Sequence, residues 1–300
     1  MHKSVLLNES IEYLNIRPDG TYIDATLGYA GHSGEILARL ETEGFLFAFD
    51  QDIDAVTYST NKLSAIGNNF KIFHTNFKNM KDFINTKVDG ILFDLGVSSP
   101  QLDEQERGFS FHKDAPLDMR MDKREKLSAK EVVNTYSLEK LTDILYVYGE
   151  EANAKSIAKG IVSSRPINST LELAEVIKNN VPLSYRRKGN PCRKTFQAIR
   201  IEVNNELGIL EKSLLDAFSL LNKGGRLSVI TFHSLEDRIV KNTFNNLSKE
   251  SELAKKLPVV PDELKPKGKL ITKKPIVPTE EELELNKRSR SAKLRVIEKL

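Results

Sequence analysis

Acidic residues directly follow two short apolar runs near the start of the chain, and a glycine-rich loop lies between these runs. Asp24 follows Tyr22-Ile23, and Asp50 follows the run 45–49. Short apolar runs of this kind are typical of buried parallel strands. Three glycines at spacing suited to opening a helix fill the loop: Gly28, Gly31 and Gly34. Tight turns also contain such glycines, but the distance to Asp50 suits an acid that hydrogen-bonds ribose hydroxyls in a nucleotide-binding βαβ unit.

The acid at Asp24 narrows the choice of nucleotide. Dinucleotide enzymes usually have an apolar residue at the end of this strand, so an NAD-dependent dehydrogenase is disfavoured. An acid there, together with Asp50, suits a ligand with a cationic or amine-bearing group near the loop and ribose hydroxyls beyond it. S-adenosylmethionine has both groups and has no pyrophosphate. We therefore predict it as the cofactor, with Asp24 and Gly28 among its contacts.

A second segment with potential chemistry follows the apolar run 89–95. Its Ser-Ser-Pro sequence resembles the short polar-Pro element of amino-group methyltransferases, in which a side-chain oxygen and a backbone carbonyl accept hydrogen bonds from an exocyclic amine. The amine lone pair of cytosine or adenine is delocalised into the ring, and two acceptors would turn it toward the methyl group. Alignment then supplies most of the catalysis. An ordinary turn is the alternative. The predicted catalytic residues are Asp94, Ser98, Ser99 and Pro100.

Two histidines stand near predicted strand ends. His32 lies in the glycine loop and His233 follows the apolar run 226–232. Each is either a ligand contact or a residue at a helix start, and Ser234 is the expected cap of the next helix. No histidine is grouped with Cys or acids at metal-ligand spacing, and the single Cys192 excludes a cysteine cluster or an internal disulfide. We expect no metal.

The bulk composition is that of an ordinary globular protein. The chain has 300 residues, of which 39% are hydrophobic and 29% are charged, and no apolar run is long enough to span a bilayer. The N-terminus has no signal-peptide pattern, so we expect a cytoplasmic protein. A net charge of +3 says little about partners, but basic residues cluster at 186–194 and at 265–295. These clusters are either solvated surface or a surface for a polyanion.

The order of the predicted elements indicates an α/β protein with an insertion. Strand and helix alternate four times before Gly96, which predicts a mostly parallel sheet with helices on both faces and ligand-binding loops along one edge. Helical patterns with capping boxes at Ser128 and Ser169 then follow. One unbroken helix is expected from Phe196 to Leu221, ended by a glycine pair. The predicted domains are 1–104 for the first part of the sheet domain, 105–195 for an inserted all-helical substrate-binding domain, and 196–300 for the second part of the sheet domain.

Eight segments together resemble the RsmH (MraW) family of S-adenosylmethionine-dependent methyltransferases, and they span the chain. Any one of them could match by chance, but eight in the same order could hardly do so. The segments are HKSVLLNE (from His2), DATLGYAGHS (from Asp24), FDLGVSSPQLD (from Phe93), RGFSF (from Arg107), PLDMRMD (from Pro116), TFQAIRIEVN (from Thr195), TFHSLEDRIVK (from Thr231) and RSRSAKLRVIEK (from Arg288).

This resemblance implies a class I S-adenosylmethionine-dependent methyltransferase fold, Rossmann-like and with an inserted helical domain. It implies N4-methylation of a cytosine in 16S ribosomal RNA near the decoding centre, within the small ribosomal subunit. The positions that match the family's cofactor contacts are Ala30, Gly31, His32, Asp50, Phe77, Asp94 and Gln101. The candidate substrate contacts are Lys194, His233, Arg288 and Arg290.

The chain departs from the family pattern at two places. Ala30 stands where the family usually has glycine, so we expect a negative φ there. Asn190, Cys192 and Lys194 replace His, Ala and Arg, which leaves the RNA contact assigned to Lys194 open. The alternatives are an amine methyltransferase acting on another nucleic acid or on protein, and a cofactor-binding ribosome assembly factor without turnover. The sequence leaves the choice between monomer and homodimer open.

Overall fold

The computed structural model of the chain describes residues 4–250, 261 and 264–300. His2, in the first family segment, lies outside the described residues. The chain divides into two compact units, which we call the sheet unit (residues 1–96 and 209–300) and the helical unit (residues 97–208). No helix among the described residues is long and apolar enough to cross a membrane.

The sheet unit contains a seven-stranded sheet in the order β3-β2-β1-β4-β5-β7-β6. Neighbouring strands from β3 to β5 pair in parallel, whereas β7 runs antiparallel to both β5 and β6. The strands are β1 (Thr21–Asp24), β2 (Phe45–Asp50), β3 (Phe70–His74), β4 (Val88–Asp94), β5 (Leu221–Thr231), β6 (Gly268–Leu270) and β7 (Lys293–Lys299). This mostly parallel, Rossmann-like sheet confirms the predicted fold class.

The central strands are apolar throughout because both faces of the sheet are covered. Ile91 and Phe93 of β4 pack into one buried cluster, and Leu92 between them packs into another. Strands β2 and β3 lie on one side of β1, whereas β4 pairs with β1 on its other side. The strand order therefore reverses at β1, and ligands of such sheets bind at the carboxyl ends of the strands where this reversal occurs. The flanking helices are α1 (Leu7–Leu14), α2 (Gly31–Leu37), α3 (Ile53–Ser64), α4 (Met80–Phe83), α12 (Glu206–Leu220), α13 (Ser234–Ser248) and α14 (Glu280–Leu285).

The helical unit has its own buried core. It is formed by apolar residues such as Leu141, Ile157 and Ile199, all with no exposed area. The predicted capping box at Ser128 is present, and the Ser169 hydroxyl accepts the Glu172 N–H. The helices are α5 (Ser99–Asp103), α6 (Ala129–Thr135), α7 (Leu138–Val147), α8 (Ala154–Ser163), α9 (Thr170–Asn179), α10 (Leu183–Arg186) and α11 (Cys192–Asn204).

The helical unit is longer at both ends than the predicted insert of residues 105–195. At its start, Val97 and Leu102 pack against the helical core. At its end, α11 packs on α6, α7 and α9. The boundaries therefore follow side-chain packing rather than the position at which the sequence pattern changes.

The single long helix expected from Phe196 to Leu221 is wrong. Asn205 adopts a left-handed conformation with φ 48°, so α11 ends at Asn204 and α12 begins at Glu206. The apolar spacing continues across this break, and asparagine tolerates the left-handed region better than most residues.

The glycine pair expected to follow this helix lies instead inside β5. This strand starts at Leu221, and Gly224 has φ +80°. The closing hairpin is also shorter than the predicted arm 270–277, because β6 ends at Leu270 and only an isolated bridge joins Ile276 to Leu294.

Candidate active site

Three carboxylates stand at the carboxyl ends of neighbouring strands in the sheet unit. Asp24 ends β1, Asp50 ends β2 and Asp94 ends β4. In the sheet register Asp24 lies between Ala48 of β2 and Leu92 of β4. The sheet therefore brings these three predicted site residues to one edge.

Asp24 is buried and held by two hydrogen bonds. The Ser33 hydroxyl donates to its Oδ2 at 2.6 Å, and the Thr26 backbone N–H donates to its Oδ1 at 3.1 Å. Burial raises the pKa of this carboxyl, and the two hydrogen bonds oppose the rise. Thr26 also accepts the Asp94 N–H on its hydroxyl at 2.6 Å, which ties the ends of β1 and β4 together. The sequence analysis did not predict these roles of Ser33 and Thr26, because a hydroxyl that is close to an acid in the sequence need not form a hydrogen bond with it in the fold.

Asp50 closes the glycine loop from the other side. Its Oδ2 accepts the Gly28 N–H and its Oδ1 accepts the Asp52 N–H, both at 2.8 Å. Burial raises the pKa of Asp50 to about 6. Each carboxylate oxygen has a further lone pair for a hydroxyl donor, so the residue fits the predicted ribose role. Gly28 itself has φ +47°, and the Ser59 hydroxyl donates to its carbonyl at 2.7 Å.

The expectation of a negative φ at Ala30 is wrong. Ala30 has φ 51° and ψ 45°, the left-handed region, and it is fully buried. The chain keeps the backbone shape that glycine usually supplies and accepts the strain of a side chain there. Gly31 has a different reason to be glycine, because a Cβ atom there would lie 1.7 Å from the Ser4 hydroxyl oxygen. The N-terminal segment thus lies directly against the loop.

His32 is buried beside Asp94. Its Nδ1 lies 3.6 Å from Asp94 Oδ2, which is beyond hydrogen-bond length. Burial lowers the pKa of His32 to about 4, although a hydrogen bond with the Val5 backbone opposes the fall. The imidazole is therefore neutral at pH 7.

Of the buried polar atoms that have no hydrogen-bond partner among the described residues, two lie at the glycine loop or beside it: His32 Nε2 and Asp94 Oδ1. Buried polar atoms are normally hydrogen-bonded, so both are open to a ligand. Together with the glycine loop and Asp50, these atoms fit a cofactor that carries a ribose and a positive charge.

Phe77 supplies an apolar wall on the same unit. It lies in a 3₁₀ turn (Phe77–Asn79) after β3, and its ring meets Phe93 edge-on with centroids 5.2 Å apart. It is half-buried, so one part of the ring packs on the core while another part is accessible. This placement is compatible with the predicted position near an adenine.

The predicted catalytic segment begins α5 in the helical unit. Ser98 is the N-cap; its hydroxyl accepts the Gln101 N–H at 3.4 Å, and Gln101 Oε1 accepts the Ser98 N–H at 3.0 Å. The carbonyl oxygens of Ser98 and Pro100 accept helical N–H groups. Three of the acceptors expected for the amine therefore already accept N–H groups of α5: the Ser98 hydroxyl and the carbonyl oxygens of Ser98 and Pro100. The Ser99 hydroxyl has no hydrogen bond within the described part of the helical unit.

His233 is itself the cap of α13, so the expected cap at Ser234 is wrong. His233 Nδ1 accepts the Glu236 N–H at 3.4 Å, while Glu236 Oε2 accepts the Phe232 N–H at 2.8 Å. The other imidazole nitrogen, Nε2, lies 3.1 Å from Glu236 Oε1, and the side chain is 9% exposed. A histidine ring nitrogen can replace a serine hydroxyl as a capping acceptor, which the sequence pattern does not distinguish.

The candidate substrate contacts do not form one cluster within either unit. Lys194 belongs to α11 of the helical unit, and its Nζ donates to the Glu150 carbonyl at 2.7 Å. Arg288 and Arg290 are exposed on a 3₁₀ turn (Lys287–Ser291) of the sheet unit.

Comparisons with known proteins identify the family of this chain. A family model described as the MraW methylase family matches residues 1–300. Proteins named Ribosomal RNA small subunit methyltransferase H are 53% identical in Clostridioides difficile (100% of this chain, 99% of that protein) and 55% identical in Mycoplasma mycoides subsp. mycoides SC (99% of each). A solved rRNA methylase from Streptococcus thermophilus covers 100% of this chain and 99% of its own, with 12% identity and a TM-score of 0.44, a likeness too weak to support an assignment.

The family model and the relatives match along the whole chain, so they confirm the resemblance found in the eight segments. They also confirm the predicted enzyme class, a methyltransferase, and S-adenosylmethionine as its methyl donor. The chain belongs to the MraW methylase family.

Proposed function

We propose that this protein transfers a methyl group from S-adenosylmethionine to N4 of a cytosine in 16S ribosomal RNA near the decoding centre, within the small ribosomal subunit and in the cytoplasm. The observation that carries the proposal is the identity of 53% and 55%, over essentially the whole chain, to relatives named for methylation of small-subunit ribosomal RNA. The three strand-end carboxylates and the glycine loop support it.

In this proposal the sheet unit binds the cofactor. Asp50 would accept the ribose hydroxyls, Phe77 would pack near the adenine, and Asp24 and Asp94 would face the cationic part of the molecule. The bound cofactor supplies a methyl group on a sulfonium, which is an excellent leaving group. The protein's task is therefore to exclude water and to align the reacting atoms.

In the helical unit, Ser99 is the predicted catalytic serine whose hydroxyl is not used in capping α5, so we assign it the role of orienting the amine. A target base must leave its stack to reach an active site, so the cytosine is flipped out. The Ser99 hydroxyl then accepts one N4 hydrogen, which turns the nitrogen lone pair toward the methyl carbon. A cofactor bound in the sheet unit would supply the methyl group, with the sulfonium sulfur as the leaving group, and N4 would then release one proton to solvent. Because that proton is acidic once N4 is methylated, no strong base is required.

A basic segment of the helical unit supports an RNA substrate. Residues 182–194 contain five basic side chains and no acid. Two of the five donate to backbone carbonyls, since Arg186 bonds Val181 and Lys194 bonds Glu150. The other three are exposed: Arg187, Lys188 and Arg193. Exposed Lys and Arg side chains clustered without acids are the usual means of neutralising phosphates.

A transfer assay with labelled cofactor tests the proposal. Purified protein is incubated with small ribosomal subunits, naked 16S RNA, DNA and unrelated protein, and the labelled nucleoside is identified. We expect label at cytosine N4 in small-subunit RNA, in one or both RNA samples. Label on DNA or on protein would contradict the substrate, and cofactor binding without transfer to any ribosomal sample would favour an assembly factor.

A variant in the same assay tests the role of Ser99. We expect Ser99→Ala to lower kcat while cofactor affinity stays unchanged, and Ser184→Ala, at an exposed serine of the same unit, to leave both unchanged. An unaltered kcat in Ser99→Ala would remove the amine-orienting role.

A further inference from the structure

Asp94 differs from the other two strand-end carboxylates in how its charge is compensated. Both oxygens of Asp24 and both oxygens of Asp50 accept hydrogen bonds. In contrast, Asp94 Oδ1 is buried without a partner among the described residues, while Oδ2 lies 3.6 Å from His32 on a side chain that is 26% exposed. A carboxylate with one oxygen cut off both from water and from hydrogen-bond donors is disfavoured in its charged form.

The charged and titratable groups that face Asp94 in the sheet unit do not supply a positive charge. Asp24 faces it from β1 and Glu236 from α13, and both are acids. His32 faces it from α2 and is neutral, because burial holds its pKa at about 4. Burial, together with these two acids, raises the pKa of Asp94 well above its ordinary value.

Two cations of β7 in the same unit are paired with another acid. Lys293 and Arg295 of β7 both bond Asp237, at 3.1 and 2.7 Å. Within the described part of the sheet unit, no Lys or Arg forms an ion pair with Asp94. A carboxyl group in this situation holds its proton more tightly than an ordinary one, and a cation bound beside it would reverse that preference.

We infer that Asp94 is a proton-linked counter-ion, which is protonated in the ligand-free protein and ionised when a cationic centre of the cofactor binds beside it. On binding, the carboxyl O–H bond breaks, the proton leaves to solvent, and the carboxylate pairs with the cation. His32 is a positioning residue, since it packs against Asp94 Oδ2 without adding charge. This inference rests on the cofactor assignment and is independent of which RNA base is methylated.

The cationic centre has two possible sources in this cofactor, the sulfonium and the α-ammonium of its methionine part. Three probes separate them. S-adenosylmethionine carries both cations, S-adenosylhomocysteine carries only the ammonium, and methylthioadenosine carries neither. The adenosine moiety is common to all three.

Titration calorimetry in two buffers of different ionisation enthalpy at pH 7.5 counts the protons released on binding. The wild type is expected to release up to about one proton more than Asp94→Asn for each S-adenosylmethionine bound. Its affinity for S-adenosylmethionine should also increase by up to about tenfold for each unit by which the pH rises, over the range in which Asp94 titrates. Proton release by the ligand's own amine is the same for both proteins and cancels in the comparison. Asp82→Asn, the same change at an exposed acid of α4, is the matched control and should behave as wild type.

The three probes give the decisive pattern when the proton release of Asp94→Asn is subtracted from that of the wild type for each probe, because the subtraction removes the contribution of the ligand's own amine; a thermal unfolding curve of the variant shows that it folds. Proton release with S-adenosylmethionine only assigns the sulfonium, and release also with S-adenosylhomocysteine assigns the ammonium; both support the inference. Equal proton release with methylthioadenosine, or equal release by wild type and Asp94→Asn, would overturn it. Because no RNA is present, either result leaves the assignment of cytosine N4 to be decided by the transfer assay.

Discussion

The left-handed conformation of Ala30 makes a quantitative prediction about the cofactor loop. Replacing Ala30 by glycine removes a strain of about 1–2 kcal/mol for a non-glycine residue at φ 51°. The same change deletes a fully buried methyl group, at about 0.8 kcal/mol, and adds about 0.4–1 kcal/mol of unfolded-state entropy. The opposing contributions nearly cancel. We expect Ala30→Gly to change the free energy of unfolding by less than about 1 kcal/mol.

Urea denaturation of the purified protein measures this change, and Ala217→Gly is the matched control. Ala217 is also fully buried in the sheet unit, but it lies within α12. Glycine there removes the same methyl group and adds about 1 kcal/mol of helix cost without relieving strain, so we expect a loss of about 2 kcal/mol. Equal losses in the two variants would refute the strained conformation of Ala30.

Three further predictions follow from the same contacts. Ser33→Ala removes the buried hydrogen bond to Asp24, so unfolding in urea should become easier by about 1.5–3 kcal/mol; a loss below about 0.5 kcal/mol would contradict the bond. Burial raises the pKa of Asp50 to about 6, and the proposed ribose role requires the ionised form; cofactor affinity in an Asp94→Asn background should therefore be level above pH 6 and fall by up to about tenfold per unit below it, and an affinity that is constant from pH 7 to pH 5 would exclude this role. Replacing the exposed basic residues of segment 182–194 by alanine should reduce the slope of log affinity for RNA against log salt by about 2; these are Arg187, Lys188 and Arg193. Replacing three other exposed lysines of the helical unit should change the slope little; these are Lys130, Lys155 and Lys159. Equal changes of slope for the two sets would show that the phosphate-binding surface lies elsewhere.

The sheet and its ligand edge were predictable because strong local patterns determine them. Apolar runs covered on both faces identify the parallel strands, and an acid directly after such a run must lie at the edge where ligands bind. The amino-acid pattern alone was therefore sufficient to place Asp24 and Asp50 at this edge. The hydrogen bond of 2.8 Å from the Gly28 N–H to Asp50 joins the expected glycine loop to the end of β2.

Other features depend on contacts that a sequence pattern does not contain. At Asn205 the apolar spacing continues while the backbone turns left-handed, so periodicity alone predicts one helix where there are two. Ala30 is fixed in a conformation that its own side chain disfavours, because the surrounding loop determines it. The capping bonds of Ser98 and His233 use the very groups that the sequence suggested for substrate, and only the hydrogen-bond geometry shows this.

Nucleoside mass mapping of small-subunit ribosomal RNA, from cells with and without this protein, tests the central claim most directly. The proposal predicts that one cytosine near the decoding centre loses its N4-methyl group when the protein is absent and regains it when the wild-type chain is restored. If every cytosine keeps its N4 methylation in cells that lack the protein, the proposed function is contradicted.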